Sequence, residues 1–204
     1  MTDLDHPITQ ASFAMIDREV GAHSLSQAEY AIARRVIHTT ADFDFLHLLQ
    51  WSPGAIEGAI ASLQNRIPII VDVNMVKSGI ASMVAKTFQN PIIVAVDQAK
   101  TALPGKTRTE TGILTCFEQY PQGIYAIGNA PTALLALCEQ IPHSPTPPAL
   151  VIGAPVGFVA VLEAKAALAD LPTPKILVQG RKGGSPVAAA ILNALLVLAS
   201  SQPE

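Results

Sequence analysis

Five short runs rich in Ile and Val recur along the chain, at residues 67–73, 91–96, 123–127, 149–152 and 175–178. Each is flanked by Pro, Gly or Asn and is too uniformly apolar to face water on one side, so the runs read as buried parallel strands. Segments with the 3.6-residue apolar period of helices lie between them, at 75–87, 107–119, 131–140 and 157–168, and a further one follows at 185–199. Strand and helix alternate five times. Right-handed crossovers then place helices on both faces of one parallel sheet, which predicts a doubly wound α/β fold of three layers with a five-stranded, flavodoxin-like sheet.

Residues 26–37 and 53–65 also read as helices, without a strong strand before residue 67. Ser26 followed by Glu29 has the spacing of a capping box, and Pro53 after Ser52 suits a first helical turn with its cap. The proline-rich stretch 142–148 is short enough for an ordinary connection, so residues 1–204 read as one domain.

Composition narrows the function classes. Half of the residues are hydrophobic and 14% are charged, against an average of about 25%. A net charge of −3 with dispersed cations gives no basic stripe, so nucleic acid is not an expected partner. The uncharged run 144–162 is chopped by Pro145, Pro147, Pro148 and Pro155, and no membrane span is expected. Residues 1–6 carry Asp3 and Asp5 without an apolar stretch, unlike a secretory signal, and the protein is expected to be cytoplasmic. Cys116 and Cys138 have no zinc-type spacing and read as small buried residues; no metal site is expected.

In open α/β sheets ligands bind beyond the carboxyl ends of the strands. Lys77, Lys100, Lys106, Arg108, Arg181 and Lys182, six of the 13 basic residues, fall in those loops. Charges occupy loops because loops are solvated. They also stand beside helix starts, where unpaired N–H groups favour anions, so a polyanionic small molecule is the alternative reading. The loop Gly180-Arg-Lys-Gly-Gly-Ser185 links a strand to a helix but fits neither common nucleotide fingerprint. Its backbone suits carboxylates as well as phosphates, with Arg181 and Lys182 as counter-charges; its glycines also suit a tight turn. The segment Gly153-Ala-Pro-Val-Gly157 is apolar and reads as a wall or a platform for a flat ligand.

Among five histidines, His38 stands out because it ends a predicted helix three residues after Arg35, on the same face. That position is satisfied by a histidine stabilising a helix C-terminus; catalysis is the second reading. No nucleophile triad or paired-histidine metal set can be assembled from local spacing.

Taken together, Ser12-Phe13, Arg35-Val-Ile-His38, the stretch 72–76 with Gly79, Thr107-Arg108, Ile127-Gly-Asn-Ala-Pro-Thr-Ala-Leu134, Gly153-Ala-Pro-Val-Gly-Phe-Val159 and Gly180-Arg-Lys-Gly-Gly-Ser185 make almost the whole chain resemble the precorrin-8X methylmutases of cobalamin biosynthesis. The resemblance implies a homodimeric, flavodoxin-like isomerase that consumes no cofactor. It implies a shift of one methyl group from C-11 to C-12 of precorrin-8X or cobalt-precorrin-8, giving hydrogenobyrinate or cobyrinate. On that basis His38 is the expected catalytic residue, with Ser12 and Arg35 on the substrate and Thr39 beside them. Thr107, Arg108, Asn129, Arg181, Lys182, Gly183 and Gly184 are the further expected tetrapyrrole contacts. A tetrapyrrole carrier without catalysis is the alternative, and a nucleotide-binding regulator rests on the Gly180 loop alone.

Overall fold

The computed structural model describes residues 6–201, so most of the 1–6 stretch read above lies outside the described residues. The chain runs through α1 (Pro7–Val20), α2 (Gln27–Thr40), α3 (Phe45–Leu48), β1 (Leu49–Trp51), α4 (Ala55–Gln64), β2 (Ile69–Val71), α5 (Asn74–Lys86), β3 (Ile92–Val94) and α6 (Ala95–Gln98). It continues through α7 (Arg108–Gln119), β4 (Ile124–Ile127), α8 (Pro131–Gln140), β5 (Leu150–Gly153), α9 (Val161–Asp170), β6 (Lys175–Val178) and α10 (Ser185–Ser201).

The sheet order is β1-β6-β5-β4-β2-β3, with β2 to β6 mutually parallel. Counted alone, the parallel strands have the order 2-1-3-4-5 of the flavodoxin-like sheet. The sixth strand corrects the five-strand expectation: β1 pairs antiparallel with β6, matching Leu49 to Val178 and Trp51 to Ile176. Three residues carry too little periodicity to be seen in sequence. Ser52 is not the cap of α4, whose N-cap is Gly54; its hydroxyl accepts from the Lys175 N–H at 3.0 Å and fastens the β1 end to β6. The expected helix over 157–168 begins later, at Val161, because the chain bends through Gly157 to Ala160.

Side chains alternate across the strands. Ile69, Val71, Ile124, Ala126, Leu150, Ile152, Ile176 and Val178 enter the core shared with α4, α5 and α10. Ile70, Tyr125, Ile127, Val151 and Leu177 enter the opposite core, under α7, α8 and α9. Cys116 and Cys138 are free thiols in the second core, and burial pushes them up to about 11 and about 12. Helix α10 is apolar nearly all round and buried, as a helix covered by neighbours must be. Full burial of Ile191, Leu192, Leu195 and Leu196 contributes about 1.5–3 kcal/mol each. Helix α2 packs chiefly on α10, with α1 against it. The capping box read at Ser26 is present, with Ser26 N–H to Glu29 Oε2 at 2.7 Å. No described helix is long and apolar enough to cross a membrane.

Candidate active site

His38 lies in the last turn of α2, and the helical repeat sets Arg35, His38 and Thr39 on one face. That face forms a wall of an open groove of about 390 Å³ whose other wall is α5 and whose floor is α10. Ala189 and Ala190 keep the floor free of large side chains. Gly79 meets Ala189 so closely that a Cβ on Gly79 would lie 2.7 Å from the Ala189 Cβ. Phe13, largely buried on α1, braces the wall: its ring centroid is 5.4 Å from the His38 ring, edge to face, and 5.4 Å from the Arg35 guanidinium carbon. Phe13 is itself held by Arg34, 4.5 Å above its ring, whose guanidinium bonds Asp17 at 2.9 Å. Tyr30 also donates to Asp17, at 2.7 Å, and burial with this bond pushes its hydroxyl up to about 12.

The groove contains residues that the sequence did not single out. Thr9 contributes from α1, one turn before Ser12, whose hydroxyl is turned back to the Ile8 carbonyl at 3.0 Å. Asn193 sits on the floor, its Nδ2 donating to the Gly79 carbonyl at 2.9 Å while its Oδ1 has no partner among the described residues. A lone amide in the apolar run of α10 was the signal available for it. Thr39 Oγ1 donates to the Arg35 carbonyl at 2.9 Å.

At the carboxyl ends of β2 and β4, Asp72 is fully buried. Its Oδ1 accepts from Val73 at 3.0 Å and Gly128 at 3.2 Å, and its Oδ2 from Asn129 at 2.6 Å and Ala130 at 2.9 Å. Burial raises this carboxyl and the four N–H groups oppose the rise. β2 stands between β3 and β4, at the switch point where this class of sheet holds ligand phosphates. Here a side-chain carboxylate already occupies the N–H groups, so this turn does not offer them to a phosphate. The same contacts fix the Asn129 backbone and leave its side chain exposed.

Several expected contacts also make bonds within the chain. Thr107 is the N-cap of α7, and its Oγ1 lies 3.4 Å from that of Thr132. Arg108 donates to the carbonyls of Ala99 at 3.2 Å and Val96 at 3.0 Å, holding the loop before α7. Lys182 is paired with Asp42 at 2.7 Å and Asp44 at 2.6 Å. It clasps the glycine loop to the segment just after His38 and Thr39. Gly183 has φ +150° and a Cβ there would lie 2.4 Å from the Ala154 carbonyl oxygen, which accepts the Gly184 N–H at 2.8 Å. The two glycine loops are thus stitched together, and Arg181 lies exposed with its guanidinium 5.8 Å from the Phe158 centroid. Pro186, in the first turn of α10, connects this loop to the His38 groove.

These features define a doubly wound α/β protein whose open groove lies among helices at the carboxyl side of the sheet, outside a switch-point crevice that its own aspartate fills. The chain belongs to the precorrin-8X methylmutase family, whose model matches residues 7–198, and it is an isomerase. It is 59% identical to the cobalt-precorrin-8 methylmutase of Synechocystis sp., with 98% of each chain covered. It is 34% identical to a precorrin-8X methylmutase of Sinorhizobium sp., with 92% of each covered. A crystal structure of precorrin-8x methyl mutase from Thermus thermophilus superposes with a TM-score of 0.89 at 40% identity, covering 95% of this chain and 96% of that one.

Proposed function

We propose that this chain moves a methyl group from C-11 to C-12 of precorrin-8X or its cobalt form, in cobalamin biosynthesis, with His38 as the proton-transfer group. The carrying observation is that His38 stands exposed on the wall of an open groove beside Arg35 and Thr39. The methyl group leaves one carbon and bonds its neighbour within one molecule, so no atom or electron is gained or lost overall. Catalysis then needs a held macrocycle and a proton lent to the ring system and recovered, for which imidazole is suited. The Ala189 and Ala190 floor, with Gly79 on the α5 wall, supports apolar contact with a ring face. Ser12, Arg35, Thr39, Thr107, Arg108, Asn129, Arg181, Gly183 and Gly184 are assigned to the peripheral carboxylates; Arg and backbone N–H groups are strong partners for them. Lys182 serves this site as the clasp to Asp42 and Asp44.

The protein works as a cytoplasmic homodimer of one-domain subunits in this reading. Exposed Val156, Phe158, Val159 and Leu162 support pairing, since apolar crests of this kind mark contact surfaces.

The test is conversion of metal-free and cobalt-containing substrate in catalytic excess, followed by absorption. Wild type is expected to turn over at least one of them, and His38→Ala to lose about 100-fold or more in turnover while still binding product. Stoichiometric binding without conversion would establish a carrier instead.

A further inference from the structure

Lys165 on α9 has only 4% of its surface exposed, yet it pairs with no carboxylate among the described residues. Its Nζ donates instead to two carbonyls of the glycine loop, Gly180 at 2.7 Å and Lys182 at 2.8 Å. An ammonium group is a costly way to fill an apolar site, which Leu or Met fills without desolvation. Its cost is met by what it holds.

In a trans peptide the carbonyl and the N–H that follows it point in opposite directions. With the Gly180 and Lys182 carbonyls drawn onto Lys165, the N–H groups of Arg181 and Gly183 are directed away from it. Neither N–H has an acceptor among the described residues. We propose that Lys165 is a positioning residue for ligand binding: its buried ammonium pulls two carbonyls inward and so presents the Arg181 and Gly183 N–H groups outward to a substrate carboxylate. The proposal rests on the reading of this loop as a carboxylate site.

The clamp is charge-dependent. Burial lowers Lys165 to about 8. The elements around it bring few other charges. Helix α8 carries Glu139, and α9 itself carries Glu163 and Asp170. On β6, Lys175 is held by the Ala169 and Leu171 carbonyls, while in the loop Lys182 is held by Asp42 and Asp44 and Arg181 lies over Phe158. None of these pairs with Lys165, so its own protonation sets the strength of the clamp: the ammonium makes charge-assisted bonds to both carbonyls, and the neutral amine formed as pH rises through about 8 keeps two N–H donors but holds the loop more weakly.

Two measurements test this on the whole protein. Amide exchange over residues 180–184, corrected for intrinsic rates, reads loop order without any ligand. Spectral titration with the product corrin, alongside KM and kcat, reads binding. Lys165→Met is expected to raise exchange in the loop and to weaken product binding about tenfold or more at neutral pH, with kcat at saturation little changed. Wild type is expected to show a smaller weakening in the same direction as pH rises from about 7 to about 9, and Lys165→Arg to keep its affinity across that range. A folded Lys165→Met protein with wild-type exchange, or with the wild-type pH dependence intact, overturns the proposal. Should that variant fail to fold, the wild-type titration decides: exchange that does not change between those pH values overturns it equally. If loop order follows the charge on Lys165 but wild type binds no corrin, the substrate reading fails and the positioning role stands.

Discussion

Replacing Asp72 by Asn is the sharpest perturbation of the frame around the site. The two carboxylate oxygens accept four backbone N–H groups in a fully buried setting, two on each oxygen. Asparagine offers one acceptor oxygen and one NH2 group, so two of those N–H donors lose their acceptor and face a donor instead. A buried unsatisfied donor costs about 1–3 kcal/mol, which sets the total near roughly 2–6 kcal/mol. That is a large share of the roughly 5–15 kcal/mol that holds a typical domain folded. For a chain of this length each kcal/mol moves Tm by about 2–4 °C, so a drop of roughly 10 °C is expected in calorimetry. The urea midpoint should fall in parallel with no change in slope. Because Gly128 packs on Ser185 at the start of α10, product binding should weaken as well. An Asp72→Asn protein with wild-type Tm and midpoint would refute the account, since it would mean that these N–H groups do not depend on the carboxylate.

Two further outcomes follow from the loops. Gly183→Ala forces a Cβ to 2.4 Å from the Ala154 carbonyl oxygen at φ +150°; it is expected to cost roughly 1–3 kcal/mol in urea unfolding and to weaken corrin binding, and an unchanged midpoint would disprove the contact. Lys182→Met tests the clasp through acid titration. Lys182 holds the Asp42 carboxyl below its ordinary value. A depressed carboxylate contributes stability that is present above the unfolded value and lost as pH falls through the folded one, so the wild-type urea midpoint declines below about pH 4. The variant should have a lower midpoint at neutral pH and a shallower acid decline, and superimposable curves would contradict the pairing.

Much of the fold was legible because its signals are local. The Ile and Val runs at β2 to β6, the apolar period of α7 and α8, and the Ser26 to Glu29 cap each involve residues within a few positions of one another. The strand β1 was not legible, since three residues become a strand only when β6 lies beside them. The groove was half legible. Arg35, His38 and Thr39 share a helical face by spacing alone, whereas Gly79, Ala189 and Asn193 join them only because α5 crosses α10 there.

The sequence by itself determined a parallel sheet covered on both faces, a histidine set beside an arginine at a helix end, and loops rich in glycine and cations. Only the tertiary structure decided which cations are engaged within the chain. Lys182 meets Asp42 from 140 residues away, Arg108 closes on the carbonyls of Val96 in α6 and Ala99 just after it, and Lys165, a plain helix lysine in sequence, is buried under the glycine loop. The physical reason is range: periodicity and capping act through neighbours along the chain, while charge pairing and desolvation depend on what the fold brings close in space.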